Sequence, residues 1–474
     1  MAELADVIVV GAGTAGLCVA IEAARCGMRV QLLESTNEVG GTLPVSAGHM
    51  SAAGTRLQTR LGIDDHPDLH FADVMRIGGG LADPQLVRLA VDEAPGTVDW
   101  LDEQGFAFAD AAPTIYRGHS PYSRPRTYWG EKHGMSILEV LARELNDQIA
   151  QDRIDLRYST RMTGLVTRAG RVSGVAVTGA DGTEEVAAGV TVLASGGYGS
   201  NSKLFAEFTP SSPRLVTNAV PAAMGDGIVA ARALGARVRF GEHHTPRLGL
   251  LESRRSLGRV DFWNAMLDLT PGTREVCEIW VNATGQRFVP EDSEDVTQLE
   301  HAVLRQEGAQ FWLILDSAGL KTMGSPVRQW DVERFIEEAA HGDFVWTADD
   351  IPTLAARAGI DAAGLQSSVR QYNAADRAKC DEFGRSRFGA VLDQAPFYAV
   401  RTPAAVLCSF GGLDVDKRFQ VLGADGAAVP GLHAVGEVIG MGATSGAAFC
   451  GGMSVTPALS FGRLLGRRLG GAAD

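Results

Sequence analysis

The sequence predicts an α/β fold in which a parallel-sheet domain, split in sequence, carries an inserted α+β domain. Three observations carry that expectation. A β-branched run, Asp6-Val7-Ile8-Val9-Val10, passes straight into the glycine turn Gly11-Ala12-Gly13-Thr14-Ala15-Gly16 and then into a helical stretch that ends at Arg25. A second strand of the buried type, Val190 to Leu193, ends in glycines at Gly196 and Gly197. Near the C-terminus follows the segment Pro430-Gly431-Leu432-His433-Ala434-Val435-Gly436-Glu437.

At 474 residues the chain is longer than a single hydrophobic core serves, so at least two packed domains are expected. Hydrophobic residues make up 45% and charged residues 21%, an ordinary globular balance. The formal net charge of -14 repels phosphate backbones and anionic lipid, which argues against a nucleic-acid partner but leaves room for a small-molecule substrate held by local arginines. Six cysteines form no CxxC pair and no metal-like spacing, and His243-His244 has no third ligand at a sensible distance in sequence, so no metal is expected. No apolar run reaches membrane-spanning length and no basic leader precedes Val7, so a cytoplasmic protein with no membrane span is expected.

The first turn has the chemistry of a dinucleotide site. Gly11 allows the tight turn, Gly13 lets the backbone approach a pyrophosphate, and Gly16 lets the helix opened by Thr14 and Ala15 lie close to the sheet. Free N–H groups at that helix start supply the anion site. The next strand, Arg29 to Leu33, ends in Glu34, placed to accept hydrogen bonds from ribose hydroxyls and to repel a 2′-phosphate. The turn by itself does not separate NAD from FAD.

Further segments do. Gly40-Gly41-Thr42 follows Glu34 closely, Gly225-Asp226-Gly227 opens a helical run ending at Gly235, and Gly451-Gly452-Met453-Ser454-Val455 starts a last helix. In this order and spacing they resemble the flavoprotein subunits of fumarate reductase and succinate dehydrogenase, with the ketosteroid dehydrogenases as relatives. The resemblance implies a Rossmann-like FAD-binding domain and non-covalent FAD. It implies that the pyrophosphate lies on Gly11 to Gly16 and the adenosine ribose on Glu34, with Gly40, Gly41, Thr42 and Gly48 on the flavin side. It also implies roles for Gly196 and Gly197 at the adenosine end, Asp226 as a support near the cofactor, Glu437 at the ribityl chain, and Gly452, Ser454 and Val455 beneath the flavin pyrimidine.

By the same resemblance, residues 1–236 and 366–474 form the FAD-binding domain and residues 237–365 a substrate cap. Residues 56–150 read as mainly helical, interrupted at Pro113, Pro121 and Pro125, and the alternating stretches Arg157 to Arg168 and Arg171 to Thr178 read as a small antiparallel patch.

The departures from the family narrow the chemistry. The stretch Glu278 to Glu291 resembles the hairpin that leads to the family's proton-donating arginine, but the matching position holds Asp295. Two positions that grip a dicarboxylate hold Cys408 and Phe449. The resemblance then points to an α,β-desaturase of a carbonyl compound such as a cyclic ketone or ketosteroid, with Tyr122 as base, Arg126 as clamp on a substrate oxygen, and His244 and Arg247 as helpers from the cap. Tyr128 is a second tyrosine in the same proline-broken loop. The alternatives are an ene reductase with Arg126 or Arg247 as proton donor, and a non-catalytic FAD-binding subunit of a larger redox complex. In each case an external electron acceptor or donor is required.

Overall fold

Val7 to Val10 are almost fully buried because the strand Ala5–Val10 lies inside a sheet with a parallel neighbour on each side. Val30–Leu33 pairs with it along one edge and the end of Gly182–Leu193 along the other. The computed structural model describes residues 5–180, 182–210, 215–253, 256–260, 262–270, 274–389 and 391–471; the outermost residues of the expected FAD-binding domain, 1–4 and 472–474, lie outside them. Ile154–Arg157 and Ala428–Ala434 extend the parallel sheet at its two sides. A strand buried on both faces carries apolar residues continuously, and that is the pattern of this first strand.

The strand Gly182–Leu193 has two roles. Its first half is antiparallel to Arg171–Gly179, which pairs in turn with Arg161–Arg168, and its second half joins the parallel sheet. The expected antiparallel patch is therefore present, but it begins at Arg161, because Ile154–Arg157 belongs to the main sheet. Helix Thr14–Arg25 packs on one face against the last helix, Val455–Leu469, where Gly462 and Gly466 let the two backbones approach. Between residues 56 and 150 the helices are Arg56–Arg60, Pro67–Ile77, Pro84–Glu103 and Gly134–Ala150, with the loop of residues 113–126 between the last two.

The inserted portion has its own sheet, in the order Ile279–Val281, Gln310–Asp316, Phe397–Pro403, Val345–Ala348, antiparallel at every described pairing. Side chains alternate along its second strand. Phe311, Leu313 and Leu315 enter one apolar cluster with Trp280 and Phe335, while Trp312 and Ile314 enter another with Leu365, Val369 and Tyr372. The expected return to the FAD-binding domain at residue 366 thus falls inside helix Ala362–Ala378, whose apolar stripe completes the cap core. The strand Phe397–Pro403 is a cap strand too, so we place the return after Pro403, where the chain reaches Gly412–Leu413 and pairs with Val238–Arg239.

Candidate active site

A cavity of about 400 Å³ starts at the C-terminal end of the first strand and is lined by Gly11, Gly13, Thr14 and Ala15. It continues past Glu34 and Thr36 on one side and past Gly41, Thr42, Ser46, Glu437, Ser454 and Val455 on the other. Helix Thr14–Arg25 opens at Gly13 without a side-chain cap, so its first N–H groups face the cavity mouth. Helix Val455–Leu469 likewise starts at Ser454 without a side-chain cap. Both are anion-stabilising ends aimed at the same space.

The glycines divide by role. Gly13 and Gly41 line the cavity and come together in a bridge between Gly13 and Gly40. Gly16 faces away from the cavity: a Cβ there would stand 1.9 Å from the Gly11 carbonyl oxygen, so its absence lets the helix close onto the turn. Gly40 and Gly452 have positive φ, 112° and 83°, and a Cβ at Gly452 would meet the Met50 carbonyl carbon at 2.4 Å. Gly48 is pressed against the backbone of Gly134 in the same way. Gly196 and Gly197 line the same cavity, and Gly197 leaves room for Ser409 and Glu437.

The acidic residues are partly engaged by the protein. Glu34 accepts from the Ala12 amide at 2.9 Å through one oxygen and from the Thr36 amide at 2.8 Å through the other, which fixes its plane while leaving lone pairs for a ribose. Asp226 forms a bidentate pair with Arg161, both contacts 2.8 Å, so it ties helix Asp226–Arg232 to the antiparallel patch and presents little free carboxylate to the cavity it lines. Glu437 accepts from the Ser409 amide at 2.7 Å, and burial pushes its carboxyl above the usual range. Ser195 supplies the observation that fits a cofactor best. It lines the cavity, and its buried hydroxyl has no hydrogen-bond partner among the described residues.

Two residues expected to be catalytic are engaged by the protein itself. Arg126 is fully buried, donating to Asp65 at 3.0 and 2.8 Å with Asp73 at 3.1 Å, so its guanidinium faces carboxylates of the helical region. Tyr122 donates its hydroxyl to the Gly451 carbonyl at 2.7 Å, and burial drives its phenol well above the ordinary value, the wrong direction for a base. Tyr128 is likewise bound, to Thr55 at 2.8 Å. His244 lies edge-on between Phe205 and Phe410, with burial pushing its imidazole down to about 4.

Arg247 is placed differently. Its backbone pairs with Ala405, and its guanidinium donates to the Gly118 carbonyl at 2.8 Å, at the base of the loop 113–126. The adjacent His119 stacks on Phe449 with ring centroids 5.1 Å apart. His49 packs against Tyr116 and Trp129 at 4.4 and 5.5 Å. Burial, with the Arg247 charge adding to it, holds His49 near 4 and His119 well below the usual value, so both are neutral at pH 7. Phe449, Phe410 and Met441 form an apolar cluster with Cys408, whose sulfur lies 3.2 Å from that of Met441. Asp295 accepts from the Gln298 amide at 3.1 Å as the N-cap of helix Val296–Leu304. Its carboxylate therefore completes a helix end.

Sequence reasoning passed over Glu300 of that helix. The signal was available: Leu299, Ala302 and Val303 form the buried stripe, and Glu300 stands within it, itself buried.

This parallel sheet, with its split second half and a cavity floored by two uncapped helix starts, defines a dinucleotide-binding protein of the flavoprotein type. The chain belongs to the FAD binding domain family, which matches residues 6–455. It is 29% identical over 471 residues to a fumarate reductase (cytochrome) of Shewanella frigidimarina, covering 98% of this chain and 76% of that one. It is 26% identical over 454 residues to a vinyl phenol reductase of Lactiplantibacillus plantarum, covering 91% and 89%. The 3-ketosteroid delta1-dehydrogenase structure from Sterolibacterium denitrificans superposes with a TM-score of 0.80 at 20% identity, covering 98% of this chain and 99% of that one, a likeness of fold. No helix among the described residues is long and apolar enough to cross a membrane.

Proposed function

We propose that the protein reduces the conjugated C=C bond of an activated alkene that is largely apolar and carries one polar activating group. The observation that carries this reading is the wall of Phe449, Phe410, Met441 and Cys408, with a neutral His119 stacked on it and Arg247 as the cation beside it. A dicarboxylate would bring two charges to a wall whose own side chains are apolar, and burying an unpaired charge is costly. An aryl or alkyl group is stabilised there by burial and ring contacts.

Reduction is favoured over the desaturation expected from sequence by the Tyr122 hydroxyl being already donated to the Gly451 carbonyl. When bound, FAD supplies two-electron hydride chemistry at the substrate carbon. Arg247 holds positive charge against the activating group as electron density moves onto it, in a site dried by the apolar wall. Its guanidinium also delivers the proton to the carbon next to the one that accepts hydride, and regains it from water. His49 and His119 stay neutral and orient the substrate by ring contact. Non-covalent FAD accords with a hydroxyl, not an imidazole, at Thr42, and an external donor must supply the electrons. The vinyl phenol reductase, whose name implies an aromatic alkene, supports the same reading.

The test is anaerobic mixing of dithionite-reduced holoenzyme with 4-vinylphenol, acrylate or fumarate while flavin reoxidation is followed. Reoxidation by 4-vinylphenol well ahead of fumarate is expected, and Arg247→Ala should slow it by about 10²–10⁴-fold. Bleaching of the oxidised flavin by cyclic ketones or ketosteroids, with no reoxidation by any alkene, would restore the desaturase.

A further inference from the structure

We propose that Glu300 is the positioning residue of Arg247, setting where the guanidinium stands through a small cavity that the two side chains share behind the loop 113–126. This rests on the reading of Arg247 as the cation of the site. The cavity, about 20 Å³, is lined by Gly118, Arg247, Leu248, Trp280 and Glu300 among others. That is room for about one water molecule.

Several observations converge on it. Glu300 is 1% exposed, and its Oε1 is buried without a partner among the described residues. The indole N–H of Trp280, on the same lining, is also unpartnered. Orphaned buried donors and acceptors around one small void are the setting in which a bridging water is held. The helix that carries Glu300 is fastened to both loops of the site, since Thr297 bonds Ser120 at 2.8 Å and His301 bonds the Ala447 carbonyl at 3.0 Å. Thr245, two residues before Arg247, donates to the same Ala447 carbonyl at 2.7 Å. Glu300 and Arg247 are thus held in a fixed frame, with the guanidinium as the movable part.

The charged groups around Glu300 are Arg247 from the cap entry, Arg328 across the cavity, and Asp295 and His301 from its own helix. Arg328 is already engaged by Asp268 at 3.0 Å, which leaves Arg247 as the cation for this carboxyl. Burial pushes the Glu300 carboxyl up to about 8, with Arg247 opposing the rise and Asp295 adding to it. Below that pH the group is neutral, and the guanidinium stays on the Gly118 carbonyl facing the substrate loop. Above it, the carboxylate competes with the Gly118 carbonyl for the guanidinium, directly or through a water in the cavity, and the charge turns away from the substrate loop.

The experiment follows kcat/KM for 4-vinylphenol-driven reoxidation of the reduced holoenzyme against pH, in wild type, Glu300→Gln and Glu300→Leu, with flavin content and circular dichroism confirming that each variant is folded. A fall of about tenfold from one unit below to one unit above the carboxyl pKa is expected in wild type. Glu300→Gln should lack that fall, and Glu300→Leu, which leaves the guanidinium on the Gly118 carbonyl at every pH, should lack it too. The same alkaline fall in Glu300→Gln as in wild type, or no fall in wild type, would overturn the assignment. Arg247→Ala separates this from failure of the functional reading: if that variant turns over as wild type does, Arg247 is not the cation of the site. If no alkene reoxidises the enzyme, the pH dependence of the Glu300 carboxyl band in wild type minus Glu300→Gln infrared spectra, compared with the same difference in the Arg247→Ala background, decides the pairing. An Arg247-independent band would overturn it.

Discussion

Tyr122, Arg126 and Arg247 carry polar groups of the kinds a flavin enzyme needs, and only their partners separate them. Arg126 meets two carboxylates and Tyr122 a backbone carbonyl, whereas Arg247 meets, among the described residues, a backbone carbonyl at the edge of the candidate site. Those partners come from residues about 50 to 330 positions away in sequence, such as Asp65 for Arg126 and Gly451 for Tyr122, so no local pattern announces them. If Tyr122 is structural, Tyr122→Phe removes one neutral hydrogen bond, costing about 1 kcal/mol of stability with little change in turnover. Melting temperature and alkene-driven flavin reoxidation, measured together, check this; a loss of turnover by orders of magnitude would reinstate the tyrosine as a catalytic group.

At the scale of elements, the strand-turn-helix at the N-terminus is the clearest case of local determination. Strand Ala5–Val10 and helix Thr14–Arg25 fall where β-branched residues, glycines and the helical run put them. Gly16→Ala is expected to abolish FAD retention, since the added methyl would overlap the Gly11 carbonyl and force the helix off the turn. The flavin absorbance of the purified variant reports this directly; full retention would show that the turn has more slack than its geometry allows. The cap was less legible. Its antiparallel sheet takes one strand, Phe397–Pro403, from well beyond the expected boundary, and strand partners distant in sequence leave no periodic signal of which sheet they join.

At the scale of the whole molecule, the cap is locked by a buried ion network. Arg385 donates to the Glu278 and Val276 carbonyls, both at 2.6 Å, and to Glu291 at 3.2 Å, while Arg287 grips Glu291 at 2.8 and 2.7 Å. The stretch Glu278 to Glu291, which sequence comparison links to proton donation, thus serves here to join the cap sheet to the segment 381–387. Arg385→Ala leaves Glu291 with one partner fewer and two buried carbonyls unpaired, a loss of about 3–5 kcal/mol. Chemical denaturation of the holoenzyme measures it, and a change below about 1 kcal/mol, the level of an exposed pair, would show that the network adds little.

The strand, turn and helix that line one end of the cavity were determined by sequence alone, because a βαβ unit is specified by residues next to one another: the run into Gly11, the helix after it, and Glu34 following the second strand. Tertiary structure alone decided which polar residues remain available to a substrate. Ion pairing and burial depend on what the fold brings alongside, and only there do Arg126 and Tyr122 become structural while Arg247, His119 and Glu300 come together.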